Sequence, residues 1–380
     1  MRNTFISCVT TCAALVVLAY GSGAEQVAPA TWPTSKEGLV FAFESGHFKT
    51  PPVAFRKDGR PNEAYQMPAR LTARFDRNFA MVPFGGSFVA EGAQDYVAAQ
   101  CARTGALTVE AYLTPAAQTA KDGQSGDIIA LGRDHDGANF VLVQDKDKLV
   151  FSLLAGGDKK PSTLELCKLD GASPVHLIVT YENDALACYV NGKPVELKGS
   201  PKGDLKPWAT DGPLTFGDNA AGGRPWLGTI EGIALYSRAL TAEEAKTESD
   251  AWLKKVSARK APAVLRIVGK LVARSDVPQA KHIQPYFQAL AVYEYEVEKV
   301  LEGKYDDKKI RVATWAMMEK RILPIATRPI GKSYELTLEL NSENRQLESQ
   351  WLSDTLEQAP DLRLYYDVSP QRDDEKPTGK

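Results

Sequence analysis

Histidine and cysteine are scarce in this sequence. Its 380 residues include only 4 His and 5 Cys, and the histidines stand apart at positions 47, 135, 176 and 282. No CxxC pair or mixed Cys/His cluster has the spacing of zinc ligands. The Gly-x-Ser-x-Gly turn of serine hydrolases and the Lys-Ser/Thr phosphate loop are also missing. The sequence therefore lacks the usual motifs of zinc-, serine- and nucleotide-dependent enzymes.

An excess of charge is missing as well. The 46 basic and 48 acidic residues leave a formal net charge of −2. Nucleic acids and anionic membranes attract proteins largely through clustered positive charge, and this composition supplies no general attraction of that kind. We expect no nucleic-acid partner.

Long hydrophobic runs are lacking, and the one apolar stretch is short. Residues 5–20 are mostly apolar but are interrupted by Thr and Ser, so the run falls short of the ~20 apolar residues that a membrane span needs. Arg2 precedes the stretch and Gly21-Ser-Gly-Ala24 follows it, which is typical of a cleaved signal peptide. The sequence predicts removal of residues 1–24 and a secreted or periplasmic protein that does not span the membrane.

Most of the remaining sequence alternates like short strands. In residues 107–113, Leu107, Val109 and Ala111 fall on one face, while Glu110 and Tyr112 fall on the other, as in a half-buried strand. Further strands are predicted at 140–143, 149–154, 175–181, 185–190, 214–217 and 229–236. Many short strands without a βαβ rhythm favour an all-β antiparallel sandwich or jelly roll.

Five blocks of the sequence form a recognisable series. They are GALTVEAYLTP at 105–115, VHLIVTY at 175–181, ACYVNGK at 187–193, LTFG at 214–217 and WLGTIEGIALYSRALTAEE at 226–244. In this order they resemble laminin-G-like members of the concanavalin A-like lectin/glucanase superfamily, and the resemblance covers roughly residues 35–250. Two departures are Pro174-Val175, where Trp-His is usual, and Gly232, where an acidic residue is usual.

The resemblance and the strand pattern together predict the domain organisation. A jelly-roll domain is expected at 35–257, and Thr241 with Glu244 forms a capping box that opens a helix running to about Val256. A basic, small-residue linker follows. Strands predicted at 264–272, 288–301, 310–315 and 334–340 indicate a small β-barrel (OB-like) domain at 263–340. Residues 341–380 are expected to form a C-terminal extension with a disordered tail.

Catalysis by a glycosidase would need two carboxylates that flank the sugar bond. The matched strands carry only single acids, Glu110 and Glu231. A run of alternating acids, Glu294, Glu296 and Glu298, lies in the second unit, where it is typical of a solvated strand face. The sequence therefore predicts no catalytic residue.

Sugar binding requires aromatic platforms beside loops that form hydrogen bonds. One such loop precedes Trp226, although the same position in the resembling family suggests a hydrophobic plug. Calcium is the candidate cofactor, because laminin-G-like sandwiches often bind it through loop oxygens, although acidic loop residues also serve as turn formers. The candidate ligand residues are Trp226, Arg224, Asp218, Asn219, Tyr112 and Tyr181. The candidate metal ligands are Asp134, Asp136, Glu44 and Glu231.

These observations predict a secreted, non-catalytic protein that binds polysaccharide or a cell-surface glycan or protein through the jelly roll. Two alternatives stay open. One is a polysaccharide hydrolase or lyase with an unfamiliar site. The other is a scaffold or interaction subunit of an envelope complex.

Overall fold

The structure is a computed structural model that describes residues 32–46, 67–116, 125–157, 160–259, 262–348 and 350–369. The predicted signal peptide at 1–24 lies outside these residues, as does almost all of the predicted disordered tail. Within the described part of the chain, no helix is long and apolar enough to cross a membrane.

Two antiparallel sheets form a sandwich, as the strand pattern predicted. The first sheet has the order β13-β12-β11-β6-β15-β4-β3, with β1 also paired to β15, and the second has the order β10-β9-β8-β7-β14-β5-β2. The strands are β1 (Leu39–Glu44), β2 (Ala69–Arg70), β3 (Arg74–Phe75), β4 (Met81–Val82), β5 (Ser87–Ala90), β6 (Leu107–Pro115), β7 (Ser125–Leu131), β8 (Phe140–Asp145), β9 (Lys148–Leu153), β10 (Ser162–Lys168), β11 (Val175–Glu182), β12 (Ala185–Val190), β13 (Lys193–Val195), β14 (Leu214–Phe216) and β15 (Gly228–Tyr236).

The sandwich core lies between the two sheets. Leu107, Val109 and Ala111 of β6 point into it, as their alternation predicted, and meet apolar side chains of the second sheet. The opposite face of β6 is also buried, with Tyr112 4% exposed. This differs from the predicted half-buried strand because a helix covers the outer face of the first sheet.

Two helices pack against the sandwich. α1 (Ala93–Thr104), which has no counterpart among the sequence predictions, buries Val97 and Cys101 in the main core and ends at Gly105 in the left-handed conformation. α2 (Ala242–Ser257) covers the outer face of the first sheet through Trp252. Its predicted capping box is present. Cys101, Cys167 and Cys188 are free thiols.

A five-stranded barrel follows the sandwich and confirms the second part of the predicted fold class. β16 pairs with β17 and β20, β17 with β18, β18 with β22 in parallel, and β22 with β20, which closes the ring. The strands are β16 (Leu265–Arg274), β17 (Ala289–Glu302), β18 (Lys309–Met318), β19 (Arg321–Ile322), β20 (Ser333–Leu340), β21 (Trp351–Ser353) and β22 (Leu364–Asp367). Short 3-10 helices lie at Ala280–His282, Pro324–Thr327, Asn341–Glu343 and Arg345–Leu347.

The closing strand β22 belongs to the segment that was predicted as an extension. The barrel therefore continues past the expected boundary at residue 340. A four-residue strand that inserts between β18 and β20 is too short to leave a clear alternation in the sequence. The OB-like assignment stays a prediction.

Charged side chains join the sandwich and the barrel. Arg77, just after β3, places its Nη1 atom 3.5 Å from Glu339 Oε2 and 3.3 Å from Glu343 Oε2. Both acids belong to the barrel region. Residues 68–71 of the sandwich consequently lie close to the barrel hairpin formed by β18 and β19, and the clefts described below open there.

Candidate functional site

Four of the predicted ligand residues lie in one loop at the end of the second sheet. Asp218, Asn219, Arg224 and Trp226 belong to the segment that connects β14 to β15. The backbone N–H of Trp226 donates to the Gly217 carbonyl at 2.8 Å, which closes the loop on itself. Gly217 has φ +88°, a conformation that favours glycine.

Asp127 of β7 holds this loop in place. Its side chain is completely buried, and its carboxylate accepts hydrogen bonds from Asn219 Nδ2 at 2.9 Å and Arg224 Nε at 2.9 Å. His135 Nδ1 lies 3.0 Å from the same carboxylate. A buried carboxylate is stable only when it is paired and hydrogen-bonded, and these contacts provide that.

Asp218 stabilises the loop from within. Its Oδ1 atom accepts the backbone N–H groups of Asn219 at 2.7 Å and Arg224 at 3.1 Å. Burial raises the pKa of the Asp218 carboxyl, while these hydrogen bonds oppose the rise. The loop is thus fixed by contacts from both Asp127 and Asp218.

A cleft of about 420 Å³ opens beside this loop. Asp218, Asn219 and residues 220–222 form one side, and Arg70, Ser87 and Glu319 contribute to the rest of the lining. We call it the sandwich cleft. Its lining combines hydrogen-bond donors and acceptors with apolar side chains such as Leu71 and Val89, which suits a ligand that has both hydroxyl groups and apolar faces.

A second polar cluster is closed to ligands. Glu110 of β6 is completely buried and accepts hydrogen bonds from Trp32 Nε1 at 2.7 Å and from Tyr236 OH at 3.2 Å. His176 Nε2 lies 2.8 Å from the same carboxylate and is 1% exposed. Burial raises the pKa of Glu110, and the contact with His176 opposes that rise. A glutamate–histidine pair without solvent access acts structurally rather than as a binding or catalytic site.

The comparison with protein families bears on the sandwich. Residues 91–246 match the family model described as the concanavalin A-like lectin/glucanases superfamily. This part of the chain is similar to that superfamily, and we call the sandwich the concanavalin A-like domain. The match confirms the resemblance inferred from the sequence blocks, and it includes Asp127, Asp218, Asn219 and Arg224.

Solved structures that this chain resembles share little sequence with it. The CBM40 of the Ruminococcus gnavus IT-sialidase, bound to alpha2,3 sialyllactose, is 13% identical, with a TM-score of 0.33 over 38% of this chain and 82% of that chain. Trypanosoma rangeli sialidase in complex with the inhibitor DANA is 20% identical, with a TM-score of 0.37 over 57% and 33%. The binding domain of botulinum neurotoxin serotype D is 9% identical, with a TM-score of 0.44 over 74% and 70%. No curated protein sequence matches the chain.

The predicted aromatic platforms lie inside the concanavalin A-like domain rather than at its surface. Trp226 is completely buried and its Nε1 atom donates to Gln144 Oε1 at 2.7 Å, as expected for the hydrophobic plug that was the alternative interpretation. Tyr112 packs beneath α2 against Trp252, and the hydroxyl group of Tyr181 donates to the Gly203 carbonyl. These three rings cannot stack on a ligand from these positions, because the core already surrounds them.

The candidate calcium ligands of the concanavalin A-like domain form no joint site among the described residues. Asp134 accepts the Gly137 N–H at 2.7 Å, which is a turn contact, and Asp136 is exposed. Glu44 binds Lys255 at 2.5 Å, and Glu231 binds Arg259. Two basic side chains at the end of α2 thus neutralise the carboxylates that the resemblance suggested for an ion. Calcium binding stays a prediction.

Sequence reasoning missed Asp127 and Glu319. The segment SGDIIAL of β7 carries one acid within a largely apolar strand, and a lone acid in such a strand signals a buried, paired carboxylate. Glu319 has no such signal. It lies in the tight turn between β18 and β19, and only the packing of the barrel against residues 68–71 brings it to the sandwich cleft.

Proposed function

We propose that this protein recognises a glycan through the sandwich cleft. The observation that carries the proposal is the mixed lining of that cleft, in which polar side chains stand beside apolar ones, built on a loop that Asp127 and Asp218 hold fixed. A preorganised loop loses little conformational entropy on binding, so its hydrogen bonds translate into affinity. The family matched by residues 91–246 includes lectins, which supports the same interpretation.

We infer further that the cleft binds without cleaving. Glu110 of β6 and Glu231 of β15 contact a histidine and an arginine, respectively, rather than facing each other as a pair across a groove. Glu294 of the barrel pairs with Lys309 at 2.7 Å, and Glu296 and Glu298 are solvated. Release of reducing sugars or unsaturated products from any bound polysaccharide would contradict this part of the proposal.

A glycan array on the chain without residues 1–24 tests the proposal, followed by titration calorimetry on the best ligand. Arg70→Ala removes an exposed side chain from the cleft lining, and we expect affinity to fall about 5–10-fold, as for the loss of one ordinary hydrogen bond. Arg103→Ala on α1 is the matched control and should bind like the wild type. Absence of binding to every glycan, or equal affinity of Arg70→Ala and wild type, would refute the proposal.

The same titration with and without a chelator examines calcium. Because Glu44 and Glu231 already bind basic side chains, we expect any calcium effect to arise at the exposed loop that contains Asp134 and Asp136. Affinity that depends on calcium but survives Asp134→Asn with Asp136→Asn would show that these two carboxylates are not the ligands.

Export is part of the proposed function. A glycan-binding protein meets polysaccharide outside the cytoplasm, and residues 1–24 have the pattern of a secretory signal. Expression of the full-length chain followed by N-terminal sequencing should give Glu25 as the first residue of the protein outside the cytoplasm. Retention of Met1 in a cytoplasmic fraction would contradict export.

A further inference from the structure

The barrel exposes a group of aromatic side chains near the sandwich cleft. Tyr286 is 38% exposed, Phe287 60% and Trp351 38%. Tyr286 and Phe287 end the loop between β16 and β17, and Trp351 begins β21. The rings of Tyr286 and Trp351 pack edge to face, with centroids 5.8 Å apart.

Hydrogen bonds next to these rings fix the segments that carry them. The Lys320 N–H donates to the Phe287 carbonyl at 2.8 Å, and Gln288 Nε2 donates to Gln350 Oε1 at 2.7 Å. Trp351 is in register with Ala289 in a parallel strand pair. Large apolar side chains that the fold holds in solvent mark a binding surface, since burying them elsewhere would be favourable.

A cleft of about 600 Å³ runs past this group, and we call it the barrel cleft. Tyr286 and Phe287 supply its apolar surface, while Gln288, Gln350, Glu319 and Lys320 supply donors and acceptors. Pyranose rings present an apolar C–H face and an edge of hydroxyl groups. The aromatic side chains of this lining suit the apolar face, and its donors and acceptors suit the hydroxyl groups. A groove for an amphipathic helix would instead need a continuous apolar floor.

Glu319 connects the two clefts, because it lines both. It forms the tight turn between β18 and β19 with Lys320, and both residues have positive φ, 46° and 64°. The facing wall comes from the sandwich, with Pro68 and Ala69 in the barrel cleft and Arg70 in the sandwich cleft. The two clefts therefore lie side by side along one junction.

We propose that the barrel cleft is a second glycan subsite and that the two clefts together bind an extended, neutral polysaccharide chain. This inference rests on the proposed function of the sandwich cleft. The charged residues that line the clefts are two bases, Arg70 and Lys320, and two acids, Asp218 and Glu319. A balanced lining offers no attraction to a polyanionic glycan over a neutral one.

The experiment compares oligosaccharides of increasing length, from disaccharide to hexasaccharide, prepared from glucan, xylan and mannan, with alginate and polygalacturonate fragments as the anionic arm. Titrations use the chain without residues 1–24. The variants are Phe287→Ala, Tyr286→Ala with Trp351→Ala, and Arg70→Ala. Ile330→Ala is the matched control, because Ile330 is a barrel residue that is 58% exposed and lines neither cleft.

We expect affinity of the wild type to rise with the length of a neutral oligosaccharide. Phe287→Ala should lower the affinity for the hexasaccharide about 10-fold, as for the loss of one stacking contact, and Ile330→Ala should leave it unchanged. Affinity should change less than about 2-fold between low and high salt, since no net charge is neutralised. Circular dichroism spectra of the variants should match the wild type, because the replaced side chains are exposed.

The outcomes separate the two proposals. If Arg70→Ala weakens binding while the aromatic variants do not, the barrel subsite is refuted and the sandwich cleft stands. If the aromatic variants weaken binding while Arg70→Ala does not, the barrel subsite stands and the sandwich cleft is refuted. Preference for anionic fragments refutes the neutral polysaccharide. Loss of a co-purifying protein in the aromatic variants, with no glycan bound by the wild type, refutes both and assigns the aromatic surface to a protein partner.

Discussion

Glu110 is a buried residue that connects several parts of the first sheet through hydrogen bonds. Its carboxylate accepts from Trp32 and Tyr236 and contacts His176, so residues from the segment before β1 and from three neighbouring strands meet at one side chain. A second buried glutamate, Glu248 of α2, accepts from the Thr34 N–H and hydroxyl group. These two acids fasten the segment before β1 to the sandwich.

Glu110→Ala should lower the free energy of unfolding by about 3 kcal/mol, because it leaves several buried donors without an acceptor. Urea unfolding followed by tryptophan fluorescence measures the change. Glu165→Ala is the control, since Glu165 makes an exposed ion pair with Lys148 and should cost less than about 1 kcal/mol. Equal losses in the two variants would contradict the role given to Glu110.

At the scale of elements, α2 determines which face of the first sheet is buried. Trp252 packs on Gly232 of β15, where an added Cβ atom would lie 2.6 Å from the Trp252 ring and 3.0 Å from the Trp32 ring. This close packing explains why Gly232 stands where the resembling family usually has an acidic residue. The glycine makes room for the helix to approach the sheet.

Gly232→Ala should destabilise the protein by about 1–3 kcal/mol, because both tryptophan rings must move to admit the methyl group. Thermal unfolding by calorimetry measures this, with Gly157→Ala as the control. Gly157 has open space around its Cα atom and no positive φ, so that variant should keep or slightly raise the stability. A neutral Gly232→Ala would mean that α2 does not pack this closely.

The capping box of α2 makes its stability depend on pH. Arg238 and the Thr241 N–H bind the Glu244 carboxylate, and Arg238 first of all lowers the pKa of Glu244 from 4.5 to about 2. A carboxyl whose pKa is depressed on folding contributes stability that is fully present above pH 4.5 and is lost as the pH falls toward 2.

Glu244→Gln should therefore lower the free energy of unfolding by about 1 kcal/mol at pH 7, and the difference from wild type should shrink as the pH falls from 4.5 to 2. Urea titrations at several pH values measure this. Glu243→Gln, in the same helical turn but outside the box, should stay closer to wild type throughout. A difference that grows on acidification would contradict the assignment.

At the scale of the whole molecule, the junction of sandwich and barrel creates the clefts. Glu339 is 7% exposed and depends on Arg77 and Asn344 for its polar contacts. A mostly buried carboxylate that loses its cation is costly, so Arg77 supports both the barrel and its position against residues 68–71.

Arg77→Ala should lower the stability of the barrel by about 1–2 kcal/mol and weaken the affinity for long oligosaccharides. Calorimetry and titration measure the two effects. Arg133→Ala, which removes an exposed ion pair with Asp211, is the control and should change neither. Loss of stability without any loss of affinity for long oligosaccharides would indicate that the clefts act independently.

The sequence by itself determined the local features of this protein. Alternating residues predicted the seven sandwich strands β6, β8, β9, β11, β12, β14 and β15 and most strands of the barrel, but not the short strands β2 to β5. The Thr241–Glu244 spacing predicted the start of α2, because both the strand period and the helix cap depend on neighbours along the chain. Only the tertiary structure decided the burial of Trp226, the pairing of Glu44 and Glu231 with basic side chains, and the insertion of β22. It also decided that Phe287 and Glu319 lie beside the sandwich cleft, since contacts between residues far apart in sequence leave no periodic signal.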